Sequence, residues 1–503
     1  MKEKLDELKK RFATVSDLRR AAAVLSWDQQ TYMPPRGASA RAEQLATLEK
    51  LAHEHFVADE NGALLNDLAV DAAQLPYDSD DASMIRVMKR DYDKAKRVPP
   101  ALVEEMARAG SLAFEAWHQA RAESNYKLFQ PYLERNVELR IQLANYLGYQ
   151  DRIYDALLDQ FEPEMTSAQV ETIFTPLKKE IVALTQAVAR KSNAVDDAVL
   201  HREYDEQKQW DFGLEVIRRI GFDFARGRQD KAPHPFTTGF ALNDVRITTR
   251  VSKNFLSMML FGTIHETGHA LYDMGYRAEL ERTPLGGAGS LGVHESQSRL
   301  WENVVGRSRG FWQYWFPRLR EVFPARLADQ TVESFYRAIN KVEPSFIRVE
   351  ADEVTYSLHV MLRFEIENAL VERKLKVADV PEMWNVKMKE YLGIVPPNDA
   401  QGCLQDVHWS YGDLGYFATY SLGSMFAVQL HEKAVRDLPT IPEQIARGEF
   451  AELLVWLRKN VHTHGRKFTL DELARRVTGE PLQSRSYVAY LKRKFGEIYG
   501  LNS

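Results

Sequence analysis

The chain has 503 residues, with 66 Lys and Arg against 71 Asp and Glu, for a formal net charge of −5 and a pI near 6.3. No basic block interrupts this balance, which argues against nucleic acid as a main partner. A single cysteine, Cys403, excludes a disulfide framework and points to a reducing compartment. The first residues, Met1 to Asp6, lack the apolar core of a secretion signal, so a cytoplasmic location is expected, with no membrane partner.

Most of the chain follows the 3.6-residue helical period. Leu5, Leu8, Phe12, Val15 and Leu18 form the first apolar stripe. Ser79 is placed to cap a helix running to Lys96, and Pro99-Pro100 ends it and starts the next. Further helical patterns cover 101–124, 133–147, 167–192 and 196–220. One stretch alternates clearly, Val245, Ile247, Thr249 and Val251 against Asp244, Arg246, Thr248 and Arg250, and reads as a strand. Helical patterns return at 325–342, 346–373 and 448–461. No repeat or linker detaches a domain. The expectation is one domain over 1–503, mostly α, with a small sheet.

The strand leads into Phe255, Leu256, Met258, Met259, Leu260, Phe261 and Ile264, a run apolar on nearly all sides that reads as a buried helix. It is far shorter than the ~20 residues a bilayer requires. Its far end is His265-Glu266-Thr267-Gly268-His269. Residues four apart stack on one face of a helix, so His265 and His269 can grip one metal ion. Glu266 lies about 100° round the helix, beside the open coordination position, where it can take a proton from water. Burying two imidazoles and a carboxylate demands a reason, and a metal supplies one. Gly268 weakens the helix, which suggests that backbone or substrate passes close by.

Two imidazoles leave a zinc site incomplete. Beyond a glycine-rich loop, His294-Glu295-Ser296-Gln297 opens a second helical stretch, and Glu295 completes a His₂Glu set with one position open. No third His follows His269 at the spacing of the extended zinc motif.

Downstream, Arg348, Asp352, Thr355 and His359 fall on one face of the pattern that begins at Phe346. The plain reading is a solvated face with an Arg–Asp pair. The functional reading is a polar cleft wall in which the planar fork of Arg348 holds a carboxylate. His408, between Asp406 and Trp409, has the chemistry to donate to a tetrahedral oxyanion, and Tyr411, Tyr416 or Tyr420 could add a second donor. His234, just before the strand, could place another imidazole in the cleft. His462 and His464 have no metal-like spacing and read as structural.

Six motifs in order over about 175 residues resemble the carboxypeptidase Taq family of zinc-dependent metallocarboxypeptidases. They are His234-Pro235-Phe236, Asp244 to Thr248 (DxRxT), the His265–His269 box, His294 to Gln297, Ile347 to Asp352 (IRxxAD) and Gly402 to Trp409 (GxxQDxHW). Trp27-Asp28, Thr31 and Met33-Pro34 also suit the family, so the resemblance extends over the whole chain. It implies a mostly helical, saddle-shaped subunit with a deep groove, similar to angiotensin-converting enzyme and thimet oligopeptidase, and paired as a homodimer. It implies one Zn²⁺ per subunit, replaceable by Co²⁺, and peptide substrates with a free C-terminus. Single residues would be released with broad tolerance, proline poorly.

In that scheme His265, His269 and Glu295 hold the metal, Glu266 is the general base and Arg348 takes the terminal carboxylate. His234, His294 and Asp352 line the substrate site, and His408 serves the oxyanion. The His–Tyr spacing of thimet oligopeptidase selects Tyr420 as its companion. The alternatives are an endo-acting oligopeptidase with the same zinc chemistry, or a non-catalytic peptide-binding protein on this fold.

Overall fold

Helices start where the sequence supplies an acceptor for the free N–H groups of the first turn. A computed structural model describes residues 1–501 and shows this repeatedly. Thr166 and Gln169 form a reciprocal capping box at the start of Ser167–Ala189, and Thr469 and Glu472 do the same for Leu470–Thr478. Pro100 occupies the first turn of Pro100–Glu123, where its missing N–H costs nothing.

Three of the expected boundaries move for similar reasons. The pattern at 196–220 is helical only over Glu206–Ile220, because the Asp205 carboxylate accepts the Lys208 N–H at 2.9 Å and caps the helix there. The pattern at 325–342 breaks into Pro324–Leu327 and Val332–Ala338, where Thr331 begins a new capping box. The long helix expected from Phe346 starts only at Tyr356; Arg348–Glu350 form a single 3₁₀ turn.

The chain folds into two compact units, each assembled from separate stretches of sequence. The first comprises 1–96, 196–339 and 427–481. It holds a three-stranded sheet of β1 (Gly227–Lys231), β2 (Thr237–Ala241) and β3 (Asp244–Thr249), in the order β1-β3-β2. β3 is the strand expected from alternation. β1 pairs with it in parallel and β2 antiparallel. β1 and β2 carry too few apolar residues to announce themselves. Val245 and Ile247 are fully buried against Ala270 and Met274 at the end of the helix α1 (Leu256–Asp273). A short helix, α2 (Leu291–Arg299), follows, capped by Ser290 through Val293 N–H at 3.1 Å. Elsewhere in this unit Leu5, Leu8 and Val15 join Met84, Ile85 and Met88 in a second core, with Phe12 and Leu18 packed against it.

The second unit comprises 97–195, 340–426 and the chain from 482. Its central helix, α3 (Tyr356–Val371), is buried on almost every side by residues such as Leu358, Val360, Leu362 and Ile366. A polar stripe runs down it nonetheless: His359, Arg363 and Glu367, at four-residue spacing, are all buried. Such a stripe must find partners inside the protein. Among the described residues no helix is long and apolar enough to cross a membrane.

Candidate metal centre and the Arg348 cluster

Gly268 explains how the metal centre is assembled. A Cβ there would stand 2.6 Å from both Gln297 O and Ser298 Cα. Only glycine lets α1 and α2 cross this closely, and the crossing brings Glu295 to the two imidazoles. Glu295 Oε2 lies 3.6 Å from His265 Nε2 and 3.4 Å from His269 Nε2. One ligand atom from each of the three residues falls within 4.8 Å of the others.

The chemistry of these atoms fits a cation. His265 Nδ1 faces Glu302 Oε2 at 2.8 Å, so that nitrogen carries the proton and Nε2 presents its lone pair toward Glu295. Three such atoms converging at this range suit a cation placed between them. Burial opposes ionisation of Glu295, but Arg299 and the two imidazoles hold its carboxyl well below the usual range. Burial, helped by the neighbouring His294, lowers His269 to about 4, which keeps it neutral and able to ligate.

Glu266 is buried beside these ligands and is not one of them. Thr237 on β2 donates to its Oε2 at 2.6 Å. Burial raises its carboxyl above the ordinary range, the direction a general base requires. The motifs preceding α1 position that threonine. Thr248 donates its N–H to Phe236 O and its hydroxyl accepts the Phe236 N–H, both at 2.9 Å, so β3 grips the residue adjacent to Thr237.

His294 supports the centre from behind. Its ring stacks on His269 with centroids 4.3 Å apart and 15° between planes, while Nε2 meets Asp273 Oδ1 at 3.1 Å. His234 is exposed, with Nδ1 donating to the carbonyl of its neighbour Pro235 at 2.8 Å; no described contact joins it to the three ligands. His462 is fully buried against Tyr272 and Gln297, apart from the three ligands.

The second unit holds a different cluster. Arg348 is 4% exposed and donates Nε and Nη2 to Asp406 Oδ1 at 3.2 and 2.9 Å, and Nη1 to Tyr356 OH at 2.9 Å. Its ion-pair partner is thus Asp406, not Asp352. Asp352 accepts the N–H groups of Val354 and Thr355 and the Thr355 hydroxyl, and so shapes the turn into α3. Arg363 donates Nε to the other oxygen of Asp406 at 2.7 Å. Gln405 Oε1 accepts from both Arg348 N–H and Arg363 Nη2, each at 2.8 Å. Three residues on from Gln405, His408 Nε2 lies 3.4 Å from Tyr420 OH, in the pairing the spacing of twelve suggests. Tyr416 also packs on His408, with ring centroids 5.0 Å apart. The Trp409 indole N–H donates to Glu367 at 2.7 Å.

Sequence reasoning passed over Thr237, Arg299, Glu302, Arg363 and Glu367. Glu302 follows Glu295 by seven residues and so repeats on its helix face, and Arg363 and Glu367 continue the four-residue spacing from His359. Those were the available signals.

Comparison with known proteins gives one consistent result. The model of the carboxypeptidase Taq (M32) metallopeptidase family matches residues 7–495. Thermostable carboxypeptidase 1 of Thermus thermophilus is 42% identical over 489 residues, covering 95% of each chain. Carboxypeptidase 1 of Bacillus subtilis is 38% identical over 498 residues, covering 99% of this chain and 98% of that one. Among solved structures, the M32 carboxypeptidase of Deinococcus radiodurans superposes with a TM-score of 0.96 at 39% identity, covering 99% of this chain and all of that chain (100%). A Pyrococcus furiosus carboxypeptidase gives 0.95 at 35% identity, covering 98% and 99%.

Proposed function

The chain belongs to the carboxypeptidase Taq (M32) metallopeptidase family, and we propose that it is a zinc carboxypeptidase releasing single residues from the C-termini of peptides. The observation that carries this reading is the convergence of His265, His269 and Glu295, which offers two nitrogens and one oxygen to a metal. That donor set suits zinc with a position left open. When bound, zinc supplies Lewis acidity, acidifying water and polarising the scissile carbonyl.

The remaining work falls to side chains. Glu266, raised by burial and held by Thr237, takes the proton of the attacking water and passes it to the leaving amine. His408 and Tyr420 donate to the oxyanion. Arg348 binds the terminal carboxylate, which makes the enzyme an exopeptidase. Two features support that role. Its cluster sets the guanidinium groups of Arg348 and Arg363 against the one carboxylate of Asp406, which the two cations share. Three of its five N–H groups are engaged, so each terminal nitrogen keeps one to offer. Cys403 is buried and forms no disulfide, and we extend the proposal to a cytoplasmic homodimer with broad specificity that releases proline poorly.

Mass spectrometry of a digested peptide tests the reading. A ladder of single-residue losses from the C-terminus is expected, abolished by a chelator and restored by zinc. Internal cleavage, equal on free and amidated peptides, would replace it with the endo-acting alternative.

A further inference from the structure

The helix that carries Glu295 does not stay α-helical. Leu300–Val305 continue it as a π turn, in which Gly306 N–H donates to Trp301 O, five residues back, at 2.8 Å. Such widened turns cluster at functional sites, since each gives up regular helix geometry to re-aim side chains. Here the wider turn carries residue i+5 back toward the azimuth of residue i. Arg307 accordingly approaches Glu302 Oε1 at 3.4 Å, while its guanidinium lies 3.7 Å from the Phe261 ring centroid on α1 and donates to Ile339 O at 2.6 Å. From the preceding turn Arg299 donates Nε to Glu295 Oε1 at 2.6 Å and approaches Glu302 Oε2 with Nη1 at 3.4 Å. That same Glu302 oxygen faces His265 Nδ1 at 2.8 Å.

We propose that Glu302, carried on the π turn, and Arg299, on the last turn of α2 before it, are positioning residues of the metal centre. Glu302 fixes the proton of His265 on Nδ1, so that Nε2 always presents its lone pair to the ion. Arg299 occupies Oε1 of Glu295, while the Ser298 hydroxyl is within reach of both Oε2, at 2.9 Å, and the Glu295 carbonyl, at 2.8 Å. The carboxylate would therefore offer a metal Oε2, the oxygen already turned toward both imidazoles. A carboxylate engaged through both oxygens would fill a further part of the coordination sphere; one-oxygen binding leaves that part for water and substrate. The inference rests on the assignment of His265, His269 and Glu295 as ligands and adds the layer that orients them.

Equilibrium competition with a chromophoric chelator measures the zinc dissociation constant, and X-ray absorption on the zinc-loaded protein counts its light-atom ligands. Glu302→Ala should weaken zinc binding by about 10- to 100-fold, the usual cost of losing the group behind a ligating histidine. Glu302→Gln, which retains an oxygen for the Nδ1 proton, should lose less, and it decides the matter if the alanine variant does not fold. Arg299→Gln should gain one oxygen neighbour at the metal as Glu295 swings to bind through both atoms. A purely structural role would lower the melting temperature of the metal-free protein and leave both readouts unchanged. Wild-type affinity in the Glu302 variants, or an unaltered ligand count in Arg299→Gln, would overturn the proposal. His265→Ala serves as the reference: zinc affinity equal to wild type there overturns the ligand assignment itself, whereas its loss alongside unaffected Glu302 variants overturns only the positioning layer.

Discussion

In the metal centre one atom each of His265, His269 and Glu295 converge within 4.8 Å of one another, whereas around Arg348 each oxygen of Asp406 is met by a guanidinium N–H. Both clusters are largely buried, so burial alone does not separate them. Their charge does. The first gathers groups that suit a cation, and the second shares one carboxylate, Asp406, between two guanidinium groups. A metallocarboxypeptidase uses a metal for the carbonyl, and a positive charge suits the terminal carboxylate of its substrate. The contrast predicts that damage to the first region removes the reaction, and damage to the second removes its preference.

The largest effect belongs to Glu266, which sits beside the ligands without being one. Glu266→Gln is expected to hold a full complement of zinc and to lose about 10²–10⁴-fold in kcat, since the general base is gone. Metal analysis and steady-state kinetics on the same preparation decide this, and turnover persisting in metal-replete mutant would remove Glu266 from the mechanism. Next comes Glu295. Glu295→Ala should retain less zinc after dialysis, because two imidazoles alone hold the ion poorly. In wild type a chelator should lower the melting temperature, as a ligand bound only to the folded state stabilises it by mass action. The same chelator should leave the melting temperature of Glu295→Ala almost unmoved.

The second region gives smaller, selective effects. Arg348→Ala should lower kcat/KM on free-acid peptides by about 10- to 100-fold, the worth of a charge-assisted hydrogen bond of ~1.5–3 kcal/mol. Amidated peptides should be affected much less, so the ratio between a matched acid and amide pair is the readout. Arg348→Lys should recover only part of it, because an ammonium cannot reproduce the fork that meets Asp406 and the substrate together. If Arg348 merely held the fold, the variant would melt earlier and keep the full acid preference.

The two regions were also unequally legible in the sequence. The candidate metal ligands on α1, His265 and His269, sit four residues apart on one helix, a local relation that spacing alone displays. Glu295 was reachable because the next helix begins close after a glycine-rich loop. Thr237 was not, since its value depends on β2 arriving beside α1, which is tertiary information; for Glu302 the seven-residue repeat from Glu295 was a signal, but its contact with His265 was not legible. Around Arg348 the residues were found and their wiring was not. Spacing read Arg348, Asp352, Thr355 and His359 as one helix face. The Asp352 carboxylate instead binds the N–H groups that a helix through it would have to pair internally, so the helix begins after it, at Tyr356. Arg348 was thereby free to turn to Asp406, far along the chain, and the segment Gln405–Trp409 became the hub that no periodicity reveals.

Glu367 tests how finished that hub is. Its carboxylate accepts from Trp409 Nε1 at 2.7 Å, Tyr154 OH at 2.8 Å and Gly415 N–H at 3.0 Å, and so holds both ends of the loop that begins at His408. Burial raises it to about 7, against the pull of those three donors. A carboxyl raised on folding binds its proton more tightly in the native state than in the unfolded chain. Its contribution to stability is therefore fully present below the ordinary carboxyl range, near 4.5, and is lost as pH rises toward about 7. Glu367→Gln cannot titrate, so the melting temperature of wild type relative to this variant should fall by a few degrees between pH 5 and pH 8, with most of the change below pH 7. A gap that stays constant across that range would mean the three donors already keep Glu367 ionised at pH 5. In that case the loop carrying His408 is held by a permanent anion, and the second region, like the first, is organised around fixed charge.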